Sequence, residues 1–338
     1  MSKKIKIDDL KNPILSEFQK AAKDYGETLK IDLHSEAIIN EACKNSGLQD
    51  FGDEDFIFRL DVLMRSVSND EGLAGIGKLG IFNDQVRYLE NRLKFQKFKK
   101  KFPEYQDEII SKPIIIIGLP RSGTTHLLNL IASDSRLKSL PYWESLRPFQ
   151  EKILNLDNKK DSRQEEAFKE YESFLQTMPL LKSMHDMHPN HIHEEIELQA
   201  IDFSTYLPEW LAYVPEWRDY YLSHNQINHY QYLKDVLKAM QFIQGPKKWI
   251  LKSPQHLEQI TPLLATFPDA TFAITYRDPL SVVLSTATML SYGDRVRRYK
   301  VEPKNNFNYW HNRIKTLLER FSKDYKLIPA DQKCDVFF

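Results

Sequence analysis

The segment from Gly118 to Thr125 reads Gly-Leu-Pro-Arg-Ser-Gly-Thr-Thr and has the residue types of an anion-binding loop. Four consecutive isoleucines, residues 114–117, precede it and are typical of a buried parallel strand. Apolar residues recur at helical spacing from Thr124 onwards, so the loop joins a strand to the N-terminus of a helix. Backbone N–H groups and the positive end of the helix dipole then face the same point. The pattern predicts a site for phosphate or a chemically related group.

This loop differs from the nucleoside-triphosphate P-loop, G-x-x-x-x-G-K-[ST], because Thr124 occupies the position of the lysine. In ATP and GTP enzymes that lysine reaches the β- and γ-phosphates, and the next hydroxyl holds Mg²⁺. The cation here lies three residues upstream, at Arg121. Triphosphate hydrolysis is therefore poorly supported. The expected anion contacts are Arg121, Ser122, Gly123, Thr124 and Thr125.

Two further strand-like runs follow in the second half of the chain. Residues 247–254 predict a buried strand that ends at Lys252, and residues 270–276 predict another that leads into Arg277. Each is followed by a helical pattern, which indicates right-handed βαβ units and a parallel sheet. Open α/β sheets bind ligands at the carboxyl ends of their strands, where Arg277 lies. Ser285, two turns into the next helix, is placed to donate its hydroxyl to the same phosphate.

These motifs resemble those of sulfotransferases that use 3′-phosphoadenosine 5′-phosphosulfate (PAPS). Pro120–Thr125 resembles the 5′-phosphosulfate loop of that family, and residues 276–279 with Ser285 resemble its 3′-phosphate motif. Residues 141–144 and 249–254 are similar to segments of the large bacterial sulfotransferase group, and tyrosylprotein sulfotransferases have the same order of elements. The resemblance implies transfer of a sulfuryl group from PAPS to a hydroxyl of a small-molecule, lipid-like or glycan acceptor. No metal is required, because PAPS carries an activated sulfuryl group.

Three side chains are expected to carry the chemistry. Arg121 and the loop N–H groups neutralise the charge that develops on the leaving nucleotide. By resemblance, Lys252 contacts the bridging or sulfuryl oxygens; a structural ion pair is the alternative. An acceptor hydroxyl needs a base within hydrogen-bond reach, and Glu144 occupies roughly the place of the catalytic glutamate of the tyrosylprotein enzymes. A surface helix cap is the alternative for Glu144, and the other candidate bases are His126, His193 and Glu194.

Other function classes stay open at this point. A P-loop kinase or nucleotide hydrolase is disfavoured by Thr124 and by the lack of a convincing magnesium carboxylate on a second strand. A catalytically inactive relative that keeps the nucleotide site is the third hypothesis.

Two other motifs have residue types that occur in metal-binding and dinucleotide-binding sites. Residues 185–195 hold four histidines and three carboxylates, but their spacing matches no common zinc pattern, so a polar loop near the active site is preferred to a metal site. Residues 75–80 spell G-x-G-x-x-G without a preceding strand, so a flexible interhelical loop is preferred to a dinucleotide site.

The predicted fold class is α/β, a P-loop-type parallel sheet flanked by helices with an N-terminal helical region. Residues 1–105 form that region, with helices expected near 16–25, 35–45, 53–67 and 83–102. Residues 106–338 form the P-loop-like domain, with a helical acceptor-side insertion at about 146–245 that is rich in aromatic residues. Residues 334–338 resemble a strand cut mid-course, which predicts a truncated C-terminus.

The composition of the chain indicates which partners and which cellular location to expect. The 47 basic and 47 acidic residues balance, which gives no whole-chain attraction to nucleic acid. Two cysteines cannot form a disulfide framework, and neither a signal peptide nor an apolar run of the roughly 18 residues that a spanning helix needs is present. A cytoplasmic protein without a transmembrane segment is predicted.

Overall fold

Short runs of branched apolar residues build a parallel sheet at the centre of the molecule. The structure is a computed structural model that describes residues 6–154 and 161–337. Its strands lie in the spatial order β2-β3-β1-β4-β5 and all pair in parallel. They are β1 (Ile114–Gly118), β2 (Leu137–Lys138), β3 (Lys248–Lys252), β4 (Thr271–Tyr276) and β5 (Lys333–Phe337). The α/β fold class with a flanked parallel sheet is confirmed.

The register of the sheet brings the predicted site motifs to one edge. In β1, Ile116 pairs with Lys252 of β3, and Gly118 pairs with Thr275 of β4. The carboxyl ends of these three neighbouring strands therefore lie side by side. The phosphate loop, Lys252 and Arg277 follow directly from them, as the sequence predicted.

Helices flank the sheet and also form the N-terminal part of the chain. The N-terminal helices are α1 (Glu17–Thr28), α2 (Ser35–Ser46), α3 (Phe56–Ser68) and α4 (Gly75–Lys101). The later helices are α5 (Thr124–Ala132), α6 (Tyr142–Leu146), α7 (Arg163–Thr177), α8 (Leu181–Met184), α9 (Ile196–Ala200), α10 (Pro215–Ser223), α11 (Ile227–Gln244), α12 (Ile260–Thr266), α13 (Pro279–Arg297) and α14 (Pro303–Asp324). Pro279 opens α13, and the Asp278 carboxylate accepts the N–H of Ser281 as an N-terminal cap.

The glycine-rich segment 75–80 is helical, so the predicted flexible loop is wrong. It forms the first turns of α4, and its glycines allow helix backbones to meet. A Cβ on Gly75 would lie 2.2 Å from the carbonyl oxygen of Gly26 in α1. A Cβ on Gly77 would lie 2.5 Å from the carbonyl oxygen of Arg297 in α13. The glycines therefore serve close packing of α4 against its neighbours, and no phosphate is needed to explain them.

One hydrophobic core runs through the N-terminal helices and the sheet. It includes Phe56 and Leu93 from the first region and Trp249 and Ile274 from the sheet, all at most 1% exposed.

The predicted domain division at residues 105 and 106 stays a prediction. Part of the predicted insertion, residues 155–160, lies outside the described residues. The strand expected at the end of the chain is present, since Cys334 of β5 pairs with Ala273 of β4. Across the described residues, none of the helices combines the length and apolarity needed to span a bilayer.

We expect Gly118→Ala to destabilise the fold by displacing the phosphate loop. A Cβ at this position would lie 2.0 Å from Thr275 Oγ1 and 3.0 Å from Ser122 Oγ. Overpacking of this kind costs about 1–3 kcal/mol of unfolding free energy. Urea unfolding measures the loss. The double variant Gly118→Ala/Thr275→Ala removes the nearest atom, so its loss should be smaller than the sum of the single losses. Strict additivity would contradict the steric explanation.

Candidate active site

The loop between β1 and α5 is held in a strained and well-supported conformation. Arg121 adopts φ 63° and Gly123 adopts φ 86°, both in the left-handed region. For Arg121 this is a costly conformation of the kind that concentrates at binding and active sites. Ser122 Oγ donates to the Leu119 carbonyl at 2.6 Å and shares a hydrogen bond of 2.8 Å with Thr275 Oγ1. Because the cap residue Gly123 has no side chain, the first N–H groups of α5 stay open to a ligand.

Two arginines and a serine meet beside this loop. Arg121 Nε donates to Ser285 Oγ at 3.2 Å, and Arg277 Nη1 donates to the carbonyl oxygen of Arg121 at 2.5 Å. Burial, together with the charge of Arg277, lowers the pKa of Arg121. Within residues 6–154 and 161–337, neither arginine forms an ion pair with a carboxylate. The predicted contacts of the 5′ and 3′ phosphates are thus adjacent, and they leave positive charge that an anion would neutralise.

Lys252 lies at the same point, at the end of β3. Its side chain is 1% exposed, and its Nζ donates to Thr125 Oγ1 at 3.1 Å and forms a short ion pair with Glu194. The backbone N–H of Lys252 donates to Glu195 Oε2 at 2.7 Å. The lysine therefore reaches the first turn of α5 and forms the ion pair that the sequence left as the alternative. Two successive glutamates fix its position, and its contact with the sulfuryl oxygens stays a prediction.

Glu195 belongs to a buried chain of polar groups that supports Lys252 from behind. Its Oε1 lies 2.5 Å from His256 Nε2, and His256 Nδ1 lies 2.7 Å from the Tyr230 hydroxyl. Burial opposes ionisation of Glu195, but the charge and hydrogen bond of His256 prevail and lower its pKa. The sequence reasoning missed this chain. Its members come from three distant segments, and only the position of His256 soon after Lys252 offered a signal.

A cavity of about 740 Å³ opens from the phosphate loop and extends between α4 and α13. At the loop it is lined by Arg121, Thr125, His193 and Glu194. Farther away the walls are mainly apolar and include Leu79, Met178, Leu181, Trp210, Met289 and Leu290. Tyr206 and Trp210 come from the predicted acceptor-side insertion, which is rich in aromatic residues. The volume falls in the range of small-molecule sites.

One wall of the cavity carries a group of charges that largely neutralise each other. Arg87 of α4 donates to Asp84 at 2.9 Å and to Glu197 of α9 at 3.2 Å. The Tyr88 hydroxyl also donates to Glu197, at 2.9 Å. Burial raises the pKa of Glu197 in spite of Arg87. This wall therefore offers hydrogen-bonding groups to a ligand in the cavity without adding positive charge.

Comparisons with known proteins agree with this geometry. The sequence matches the profile of the sulfotransferase family over residues 113–338, about two thirds of the chain. The chain belongs to the sulfotransferase family. No curated protein matches its sequence significantly.

Two solved structures share the fold of this family member. The sulfotransferase STF1 from Mycobacterium tuberculosis superposes with a TM-score of 0.75 at 24% identity, covering 89% of this chain and 83% of that one. The sulfotransferase STF9 from Mycobacterium avium gives a TM-score of 0.80 at 19% identity, covering 91% of this chain and 80% of that one. Both alignments extend beyond the family match, so the similarity includes part of the N-terminal helices.

Glu144, the first candidate for the base of this sulfotransferase, lies away from the other site residues. It is 3% exposed, its Oε2 accepts from Lys138 Nζ at 3.1 Å, and its Oε1 accepts from Gln244. Glu144 is not among the described residues that line the cavity, whereas Tyr142 of the same short helix is. Residues two apart on a helix do not share a face, which explains the difference. The structure therefore brings Arg121, Lys252, Arg277 and Ser285 together but leaves Glu144 apart.

The alternative bases also differ in whether they line the cavity. His126 is exposed on α5 and is not among the described residues that line the cavity, whereas His193 and Glu194 lie in the lining. Burial, and then His185 and Lys252, lower the pKa of His193 well below its ordinary value. Among the described residues, no three histidine, cysteine, aspartate or glutamate side chains converge in the manner of metal ligands.

The histidines within residues 185–193 should make the stability of the folded protein sensitive to acid. Burial, followed by Lys252 and Arg121, lowers the pKa of His185 from 6.5 to about 3. Below about pH 6.5 the unfolded chain therefore binds a proton that the folded protein does not, so stability falls as the pH falls towards 3. In His185→Gln, urea unfolding at a series of pH values should show a shallower loss, by up to about 1.4 kcal/mol per pH unit.

The matched control for this experiment is His126→Gln, which removes an exposed histidine. It should leave the dependence of the unfolding free energy on pH unchanged. Equal slopes for the wild type and His185→Gln would contradict a histidine that stays neutral in the folded state.

Proposed function

We propose that the protein transfers the sulfuryl group of PAPS to a hydroxyl of a small-molecule acceptor. The observation that carries the proposal is the cluster of Arg121, Arg277 and Ser285 at the open N-terminus of α5. Membership of the sulfotransferase family supports the same reaction. A cytoplasmic location and the absence of nucleic acid among the partners stay predictions.

Two parts of this cluster bind different parts of the nucleotide. Arg121 and the N–H groups of Ser122, Gly123, Thr124 and Thr125 hold the 5′-phosphosulfate, where the dipole of α5 favours an anion. Arg277 and Ser285 hold the 3′-phosphate, a group that ATP lacks. Thr124 occupies the place of the P-loop lysine, and Thr125 Oγ1 accepts from Lys252. These features favour PAPS over a nucleoside triphosphate.

Sulfuryl transfer breaks the bond between sulfur and the bridging oxygen and forms a bond between sulfur and the acceptor oxygen. The leaving group is 3′-phosphoadenosine 5′-phosphate, which keeps the electron pair of the broken bond. Lys252 and Arg121 stabilise the negative charge that develops on the bridging oxygen. Their positions next to α5 suit that role, since charge stabilised only in the transition state raises the rate.

The acceptor hydroxyl must lose its proton, and Glu194 is the base that the geometry favours. Glu194 lines the cavity and pairs with Lys252, whereas the Glu144 carboxylate accepts from Lys138 and Gln244. When the phosphosulfate attracts Lys252, the Glu194 carboxylate is released towards the acceptor. His193 is a weaker candidate, because its lowered pKa makes it a poor proton acceptor.

The test of the nucleotide site is a comparison of ligands. For the wild type, 3′-phosphoadenosine 5′-phosphate should raise the melting temperature more than AMP or ATP with Mg²⁺, since a ligand at 100 times its Kd adds about 2.7 kcal/mol. Arg277→Ala should weaken binding of the bisphosphate by roughly 10- to 100-fold and hardly affect AMP, because it removes a charged contact with the 3′-phosphate.

Arg136→Ala is the control, since this exposed arginine pairs with Asp134 on the surface. It should leave both ligands unaffected. Preferential stabilisation by ATP with Mg²⁺ would favour a kinase or hydrolase. Bisphosphate binding without transfer to any hydroxyl compound would identify an inactive relative.

The base is tested by comparing Glu194→Gln with Glu144→Gln in single-turnover transfer. General-base assistance contributes about 10²–10⁴-fold, so Glu194→Gln should lose that much rate while the affinity for the bisphosphate stays nearly intact. An alkyl alcohol, being far less acidic than a phenol, should suffer more. Glu144→Gln should keep most of its rate. The reverse pattern would return the role to Glu144, and full activity in both variants would move it to His193.

A further inference from the structure

Two helices define the length of the cavity beyond the phosphate loop. Ser285 of α13 contacts Arg121 at the nucleotide end, and Arg297 follows twelve residues later on the same helix. At the helical rise this separation is about 18 Å. On α4, Gly77 lies against the carbonyl of Arg297, and Arg87, which contacts Glu197, follows ten residues later. That separation is about 15 Å, so both helices describe an elongated cavity with two distinct ends.

The wall between these ends is apolar. Met289, Leu290 and Val296 contribute from α13, and Ile76, Leu79 and Ile81 contribute from α4. Such a surface favours a hydrocarbon skeleton over a glycan, whose hydroxyl groups would lose water without finding partners. Burial of a hydrocarbon chain here would contribute roughly 25 cal/mol for each Å² removed from water.

Arg297 lines the far end of this apolar cavity and pairs only loosely with a carboxylate of its own helix. Its side chain is 20% exposed, and its nearest carboxylate, Asp294, lies 3.6 Å from Nη2. The other oxygen of Asp294 accepts from Asn306 at 2.7 Å. Nη1 donates to the Trp210 carbonyl at 3.1 Å, and Nε is buried with no acceptor among the described residues. A guanidinium in this setting is costly unless an anion completes it.

The neighbouring arginines show what a neutralised site looks like on the same stretch of chain. Arg298 makes two bonds of 2.6 Å to both oxygens of Asp70, and Arg295 lies 3.1 Å from Asp9. Neither of these is among the described residues that line the cavity. Burial lowers the pKa of Arg297, whereas pairing with Asp70 raises that of Arg298 in spite of its burial.

We propose that the acceptor is an elongated apolar alcohol with a carboxylate at the end opposite to its hydroxyl, and that Arg297 binds this carboxylate. The inference rests on the proposed sulfuryl transfer and specifies its acceptor. The hydroxyl lies near Lys252 and Glu194, and the hydrocarbon fills the apolar cavity. The carboxylate accepts hydrogen bonds from the Arg297 guanidinium. The opposite orientation is disfavoured, because bound PAPS occupies the cations at the phosphate loop and Asp84 and Glu197 already neutralise Arg87.

The experiment compares three probes with one chain length: a long-chain ω-hydroxy carboxylic acid, its methyl ester and the corresponding primary alcohol. Transfer from PAPS should prefer the acid by roughly tenfold or more in kcat/KM, mostly through KM, because a charged hydrogen bond contributes that much. Arg297→Gln should abolish the preference while changing kcat/KM for the ester less than about threefold. Shorter hydroxy acids, which cannot reach both ends, should lose the preference in the wild type.

Arg298→Gln is the matched control, because it removes an arginine whose partner is protein. It should lower the melting temperature and leave the preference for the acid intact. Arg297→Lys, which keeps the charge but not the fork of donors, should retain part of the preference and serves if Arg297→Gln folds poorly.

An equal loss for acid and ester in Arg297→Gln would overturn the inference, as would a wild type without preference for the acid. A wild type that binds the bisphosphate but neither binds nor sulfates any of the three probes would also overturn it. Failure of the proposed function has different results: either the bisphosphate does not bind in the ligand comparison, or it binds without transfer to any hydroxyl compound, including acceptors other than these three probes.

Discussion

Positive charge gathered at the N-terminus of α5 is the constraint on which the rest of this site depends. Arg121 and Arg277 lie together, and the pKa of Arg121 is lowered by burial and by its neighbour. The helix dipole adds to the same field. Such an arrangement raises the free energy of the empty protein and is relieved when an anion binds. In the proposed reaction, this preorganised charge needs no rearrangement when negative charge develops on the leaving group.

The parallel sheet supports this concentration of charge. Because β1 pairs with β3 and β4, the loop, Lys252 and Arg277 leave adjacent strands at one edge. The pairing of Gly118 with Thr275 keeps the start of the loop close to β4. Behind Lys252, the buried Glu195 and His256 fix the backbone at the end of β3. These contacts hold the charged groups in place against their mutual repulsion.

The distribution of charge along the cavity separates two tasks. At the reactive end, Glu194 pairs with Lys252, and Asp84 and Glu197 surround Arg87. At the far end Arg297 has only the more distant Asp294. Between them the close approach of α4 and α13, made possible by Gly77, shapes an apolar passage. In the proposed reaction, chemistry and acceptor recognition therefore depend on different residues.

Local patterns in the chain were enough to predict the fold class and to name cationic residues that the fold brings close together. Isoleucine runs, loop glycines and the Asp278-Pro279 cap act over a few residues, and parallel pairing then places every strand end at one edge. Local spacing could not decide which face of the short helix α6 meets the cavity, so it named Glu144 where the structure presents Tyr142. The helical state of residues 75–80 also depends on contacts with α1 and α13, which are distant in sequence. The Glu195–His256–Tyr230 chain and the loose pairing of Arg297 with Asp294 arise only in the folded protein, because burial and pairing are properties of assembled segments.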